Sequence, residues 1–565
     1  MPRTTGAHLF VRCLRAEGVD TVFTLVGDHI LPLCDAAADA GVRFVDTRHE
    51  SAAVHMADGF ARVTGRPGVA WATGGPGHAN SIAGLTVAWA SETPVVHVSG
   101  APDSGQREML AFQEIPQVEM AAPVTKGAWT VPDARRIPEY VARAFRTALS
   151  GRPGPVHLTL PIDVQEQEVA EEDVLPYHPH LTRPQGRTPG DPALVREAVR
   201  LLHGAERPAV IVGGAARFSL DPEALRRFAE VARLPVFTVE LARGLLDDDH
   251  PLCFGYADPG LNEAARLYGK ADVVLVLGKR FDSRIGYGRP PTLSAAARVI
   301  QVDPSPTEVG RNREVAVGLA ADIGAVVEQM AAEAATLRWQ ERRTWLEELR
   351  AARRGQRERL EALAGDDAPM HPLRVYREVE SLLREDDVLV LDGGDYVQWG
   401  RGFLRARGAG RWLRLGNLAH LGCGLPFALA AKVALPQARV WLFTGDGSVG
   451  FYAMELDTAV RHGLPFVAVL GNDQAWGIDR GFQLEYYGRA VATDLRWVPY
   501  ERVVEALGGY GEAVERPEDL GPALRRALEA GRPALVNVRV RWHPSPMAAA
   551  MVARHRREEA ARRAR

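Results

Sequence analysis

Two aspartates are spaced for shared oxygen chemistry: Asp446, in Gly445-Asp446-Gly447-Ser448, and Asp473, 27 residues later in Asn472-Asp473. Each closes an apolar run, ARVWLFTGDGS or LPFVAVLGNDQAWG, that reads as a buried parallel strand breaking into a polar turn. Between them FYAMELDTAVRHG has helical spacing, with Met454, Leu456, Ala459 and Val460 on its apolar face. A strand–helix–strand unit of this kind delivers both carboxylates to one carboxyl edge of a sheet, where open α/β sheets bind ligands. Two hard oxygen ligands beside a glycine turn suit Mg²⁺ holding a diphosphate. A simple acidic turn between strand and helix is the plainer alternative.

The elements around this unit follow one grammar. Strand-like runs alternate with helical patterns along all 565 residues, which predicts an α/β protein with three doubly wound parallel-sheet domains. VAWATGG and PVVHVSG belong to the first sheet, AVIVGGA and DVVLVLG to the second, DVLVLDGG and VWLFTGDG to the third. A Pro-rich stretch at 175–193 and a charged helical stretch near 335–370 mark the breaks. The expected domains are residues 1–185, 186–350 and 351–545, followed by a basic tail, 546–565. The tail carries Arg554, Arg556, Arg557, Arg562, Arg563 and Arg565, and reads either as a solvated helix or as a lid.

Composition excludes several classes. A net charge of −3 argues against a nucleic-acid partner held by bulk charge. No apolar run approaches the length of a membrane span. Four scattered cysteines without paired spacing suggest a reducing, cytoplasmic setting.

Residues 42–100 carry HE, MADG, AR, TG, PGV and GPG-x-x-N in series. With the GDG and Asn-Asp pair, this series resembles thiamine diphosphate enzymes of the acetolactate synthase/benzaldehyde lyase superfamily, over essentially the whole chain. The resemblance implies a pyrimidine-binding, a middle nucleotide-binding-like and a diphosphate-binding domain. Glu50 matches the family's essential glutamate. A carboxyl hydrogen-bonded to the aminopyrimidine ring favours the imino tautomer, which removes the thiazolium C2 proton. Gly77 and Asn80 lie in the turn beside the ring. Leu421 would prop the cofactor into a bent shape, and the Ala419 carbonyl would accept from its amino group. Asp446, Asp473 and the Ala475 backbone oxygen would ligate Mg²⁺, with Gly447, Ser448, Trp476 and Gly477 lining the cofactor. Asn472-Asp473 departs from the family's usual Asn-Asn, which adds a carboxylate. Gly213, Arg280, Asp303, Asp322 and Ile323 of the middle domain, and Arg152 of the first, match nucleotide contacts, with ADP favoured over FAD. The glutamate and the diphosphate site come from different subunits in this family, so a homodimer is the minimum and a tetramer is expected.

For the reaction, FQEIPQVE, IGYGRPP followed by VIQVD, and a histidine in GDHI most resemble 2-hydroxyacyl-CoA lyases of the 2-hydroxyisobutyryl-CoA type. These enzymes cleave C1–C2 of a 2-hydroxyacyl-CoA to formyl-CoA plus an aldehyde or ketone. His29, Gln113 and Glu485 are candidates for handling the substrate hydroxyl proton. His78, Phe112, Arg401, Met547 and Met551 are candidates for substrate contact. RFDSR and Lys126 favour the rival reading, an acetolactate synthase-like carboligase acting on 2-keto acids. A non-catalytic thiamine diphosphate-binding relative is the third.

Overall fold

The computed structural model describes residues 3–563, with side chains as far as residue 557. The side chains of Arg562 and Arg563, and all of Arg565, lie outside the described residues. The chain forms two compact units: 1–187 with 416–434 and 454–462, and 188–415 with 435–453 and 463–565. The expected boundary at 350 falls inside the continuous helix Arg343–Ala362, whose Trp345, Leu346 and Leu349 are buried. A run of helix formers with an apolar stripe has no reason to break there.

In the first unit six parallel strands lie in the order Arg43–Asp46, Thr21–Leu25, Gly68–Ala72, Val95–Ala101, Val156–Pro161, Ala128–Thr130. The central strands are buried on both faces, as a parallel sheet covered by helices requires. The second unit holds two six-stranded parallel sheets. One runs Trp412–Arg414, Val388–Leu391, Val440–Gly445, Val467–Asn472, Ala534–Arg539, Tyr510–Val514. In chain order this is 2-1-3-4-6-5, the same order as in the first unit, so both sheets reverse between their first and third strands. The other runs Cys253–Tyr256, Val236–Thr238, Pro208–Val212, Val273–Leu277, Arg298–Asp303, Val317–Ala320, the 3-2-1-4-5-6 order of dinucleotide-binding sheets. Fold class is thus as the sequence predicts.

The strands Val440–Gly445 and Val467–Asn472 pair in parallel with Gly445 opposite Gly471, so Asp446 and Asp473 leave the sheet at one edge. The helix expected between them is shorter than its pattern, Glu455–Arg461. Leu456 and Ala459 are buried, but Met454 precedes the helix and is 49% exposed.

Candidate active site

The carboxyl edge of the Val440–Gly445 sheet gathers three acids. Asp446 is buried with the half-buried Asp473 beside it, and Asp395, at the start of Asp395–Phe403, is buried close by. Burial pushes the Asp446 and Asp395 carboxyls up to about 6. Burial, the Asp446 charge and the Asp395 charge together raise Asp473 well above the ordinary carboxylate range. Asp446 Oδ2, Ser448 Oγ and Asn472 Oδ1 are buried without a hydrogen-bond partner. Crowded carboxylates with open lone pairs and no cation are costly, so the donor set fits a hard divalent ion and its phosphates.

The rest of the loop is built to hold that edge open. A Cβ at Gly447 would come 2.6 Å from the Trp476 ring, so only glycine lets the two lie together. Tyr500 donates to the Asp446 carbonyl at 3.1 Å, and Trp542 Nε1 to the Gly477 carbonyl at 2.9 Å. Ala475 is buried and bridges to Asp494. Asn472 turns inward, donating to Asn537 Oδ1 at 3.2 Å, which leaves Asp473 to face Asp446. Asp395 was absent from the sequence reading. Its signal is the DGGD that ends Val388–Leu391 on the same sheet edge.

In the first unit, Glu50 opens the helix Glu50–Thr64, which is buried from Glu50 through Val63. The His49 side chain caps it by accepting from Ser51 N. Asn80 Nδ2 donates to Glu50 Oε2 at 3.0 Å, and a Cβ at Gly77 would lie 3.6 Å from Glu50 Oε1. Glu50, Gly77 and Asn80 are therefore together. Asp58 and Arg62 form a buried two-pronged pair at 2.6 Å, with the Arg62 guanidinium 4.4 Å from the Phe427 ring centre. This ties the helix to Gly424–Ala434 of the same unit. In the loop before that helix, Ala419 is exposed at φ 57° and Leu421 is half-buried.

At the reversal point of this sheet sits His29. It is 4% exposed, its backbone N–H donates to Thr73 Oγ1 at 3.3 Å, and its carbonyl accepts from Gln165 at 2.7 Å. The Phe112 ring lies 6.2 Å away. Gln113, at φ 62°, packs on Gly75, where a Cβ would clash at 2.6 Å. The edge thus assembles His29, Phe112 and Gln113.

The sequence of this chain has counterparts among known proteins. Residues 4–120, 195–330 and 392–538 match the N-terminal TPP binding, central and C-terminal TPP binding domains of thiamine pyrophosphate enzymes. The chain belongs to the thiamine pyrophosphate enzyme family. It is 37% identical to the acetolactate synthase large subunit of Mycobacterium tuberculosis, over 94% of this chain and 95% of that protein. It is 34% identical to 2-hydroxyacyl-CoA lyase 2 of Bos taurus, over 94% and 89%, and 31% identical to a probable acetolactate synthase large subunit of Methanocaldococcus jannaschii, over 94% and 91%.

The other residues that the family resemblance singles out have these surroundings. His78 is fully buried and bonded to Ser99 Oγ at 3.1 Å, because Pro76 starts the helix Pro76–Ser91 and its third position turns into the sheet. Glu485 is ion-paired to Arg556 of the terminal helix Pro546–Arg563, and Tyr486 stacks near His555 at 4.1 Å. Met547 Sδ accepts from Arg401 at 3.7 Å, whereas Met551 is 47% exposed. Arg152 pairs with Glu92. In the middle domain, Asp303 is buried and accepts from Ser305 N at 2.9 Å, Asp322 caps the helix that Ile323 begins, and Arg280 lies 3.3 Å from Glu308. Gly213 ends Pro208–Val212 at the reversal point, against Lys279. Among the described residues no helix is long and apolar enough to cross a membrane.

Sequence reasoning also missed Glu455. Its carboxylate accepts from Arg48 N at 3.0 Å and from Thr458 Oγ1 at 2.7 Å, and burial pushes it up to about 7. A carboxyl raised in the folded state contributes stability that is full below its unfolded value and lost as pH rises through the folded one. Wild type should therefore lose stability from this group between about pH 4.5 and pH 7. The Glu455→Gln variant lacks that loss, so its melting temperature should gain on wild type across this window. Thermal melts at fixed ionic strength check it; two parallel curves would refute the assignment.

Proposed function

We propose that this thiamine diphosphate-dependent enzyme cleaves the C1–C2 bond of a 2-hydroxyacyl-CoA, releasing formyl-CoA and an aldehyde or ketone, and runs the reverse condensation. The observation that carries the acyl-CoA reading is Arg401. It is 1% exposed, its Nη2 lies 3.9 Å from the Glu240 carboxylate, and it lines a cavity of 610 Å³ with Arg243, Arg353, Arg357 and Arg405. Several arginines around one cavity suit phosphate oxygens, and a cavity of this size exceeds what a short 2-keto acid would fill. The 34% identity to 2-hydroxyacyl-CoA lyase 2 supports the same reading.

Thiamine diphosphate, when bound, supplies the electron sink that stabilises the carbanion of C–C cleavage. The chain supplies position and protons. Glu50, oriented by Asn80, holds the proton exchanged with the aminopyrimidine. Asp446, Asp473 and the Ala475 carbonyl hold Mg²⁺. His29, with Gln113 beside it, accepts the proton of the substrate 2-hydroxyl, a contribution of about 10²–10⁴-fold. Glu485, engaged by Arg556, supports this role less well than His29. ADP in the 3-2-1-4-5-6 sheet, a homodimer or tetramer, and a cytoplasmic setting consistent with four free cysteines complete the proposal.

A carboligase joining 2-keto acids is the second reading, favoured by the 37% identity to an acetolactate synthase. Protein supplied with Mg²⁺, thiamine diphosphate and either a panel of 2-hydroxyacyl-CoAs or pyruvate separates the two. Formyl-CoA, detected by mass spectrometry, is the expected product. Acetolactate from pyruvate without any formyl-CoA would hand the protein to the second reading.

A further inference from the structure

His97 and His157 sit opposite one another on the neighbouring strands Val95–Ala101 and Val156–Pro161, and both point to the side where His78 enters from Pro76–Ser91. All three are 0% exposed. One ring nitrogen of each lies within 4.8 Å of one from both others, the one such group of His, Cys, Asp or Glu among the described residues. His97 Nδ1 and His157 Nδ1 are 3.0 Å apart. His78 Nε2 and His97 Nε2 are buried with no hydrogen-bond partner.

An imidazole cluster of this kind is unusual in a core. An open ring nitrogen in a dry interior costs free energy unless a ligand takes it up. Protonation does not resolve it: burial holds His97 and His157 well below the usual imidazole value and His78 at about 4, so all three rings are neutral, the form that ligates metals. We propose that His78, His97 and His157 form a structural site for a nitrogen-seeking divalent transition ion of the Zn²⁺ class.

The geometry suits that ion. Ligands at 2.0–2.1 Å in a tetrahedron lie about 3.3 Å apart, close to the spacing that His97 and His157 already have. Two hydroxyls hold the ring nitrogens that would face away from the ion: Ser99 Oγ, 3.1 Å from His78 Nδ1, and Thr159 Oγ1, 2.8 Å from His157 Nε2. Gln117 Nε2 donates to both, at 3.1 and 3.3 Å, the outer-shell support that metal sites use. A water or hydroxide would take the fourth position and offset part of the ion's charge. Gln117 Oε1 in turn accepts from Gly75 N at 3.0 Å, so the site braces the turn that precedes Gly77 and Asn80. Its protein donors are all nitrogen, unlike the oxygen set at Asp446 and Asp473.

The test uses untagged holoenzyme from Zn²⁺-supplemented culture, kept in saturating Mg²⁺ and thiamine diphosphate so that the oxygen site is filled. Mass spectrometric metal analysis should find about one zinc per chain that survives dialysis against chelator. Asp446→Ala should retain it; His97→Leu and His157→Leu should each lose at least tenfold. Cobalt-grown wild type provides a readout that needs no variant: nitrogen ligation in four coordination gives strong visible bands, whereas six oxygens give faint ones. Substoichiometric zinc in wild type, unchanged zinc in both histidine variants, or a six-oxygen cobalt spectrum would each overturn the proposal.

Discussion

Glu50→Gln is expected to lower turnover by about 10²–10⁴-fold with little change in thiamine diphosphate affinity. Glutamine keeps the size and a hydrogen bond to Asn80 Nδ2, so the helix start and its His49 cap should survive. What disappears is a group able to hold and return a proton. That loss falls on activation and not on binding, because the diphosphate is held by other residues. Exchange of the thiazolium C2 proton, followed by acid quench and NMR, isolates the step. Exchange and kcat both within tenfold of wild type would remove Glu50 from catalysis.

Asp446→Ala should abolish Mg²⁺-dependent cofactor binding, raising the apparent Kd by more than about 100-fold, since a first carboxylate ligand and its charge are lost together. Asp473→Asn is the more discriminating change. It restores the Asn-Asn pair usual in the family and removes one of the crowded carboxylates. With burial, Asp446 and Asp395 all pressing on Asp473, the metal-free variant should melt higher than wild type. Its Mg²⁺ affinity should fall, because the ion no longer gains a second buried charge. Titration calorimetry and thermal melts with and without Mg²⁺ read the two signs. A metal-free variant that melts lower while binding Mg²⁺ equally well would show that Asp473 does not face the ion. Wild-type Mg²⁺ binding should also weaken as pH falls through about 6, where protons compete for Asp446.

Strand positions were legible from the start because alternation of apolar runs and glycine turns fixes where a parallel strand ends. That is why Asp446 and Asp473 could be assigned to one edge before their register was known. Side chains on helices were harder. His78 looked like a turn residue, yet one proline places it in a helix and rotates it into the core. Met454 fitted an apolar face that begins only after it.

The amino-acid order alone determined three parallel sheets, the acidic edge of one and the glutamate that opens a buried helix of another. Local propensity and short spacings carry all of these. Tertiary packing alone decided that Asp395 crowds Asp473, that Glu455 bonds Arg48 across 407 residues, and that three histidines from 78, 97 and 157 meet in one core. Such meetings depend on strand order and helix rotation, which burial and hydrogen-bond satisfaction select among distant segments, and no local pattern encodes them.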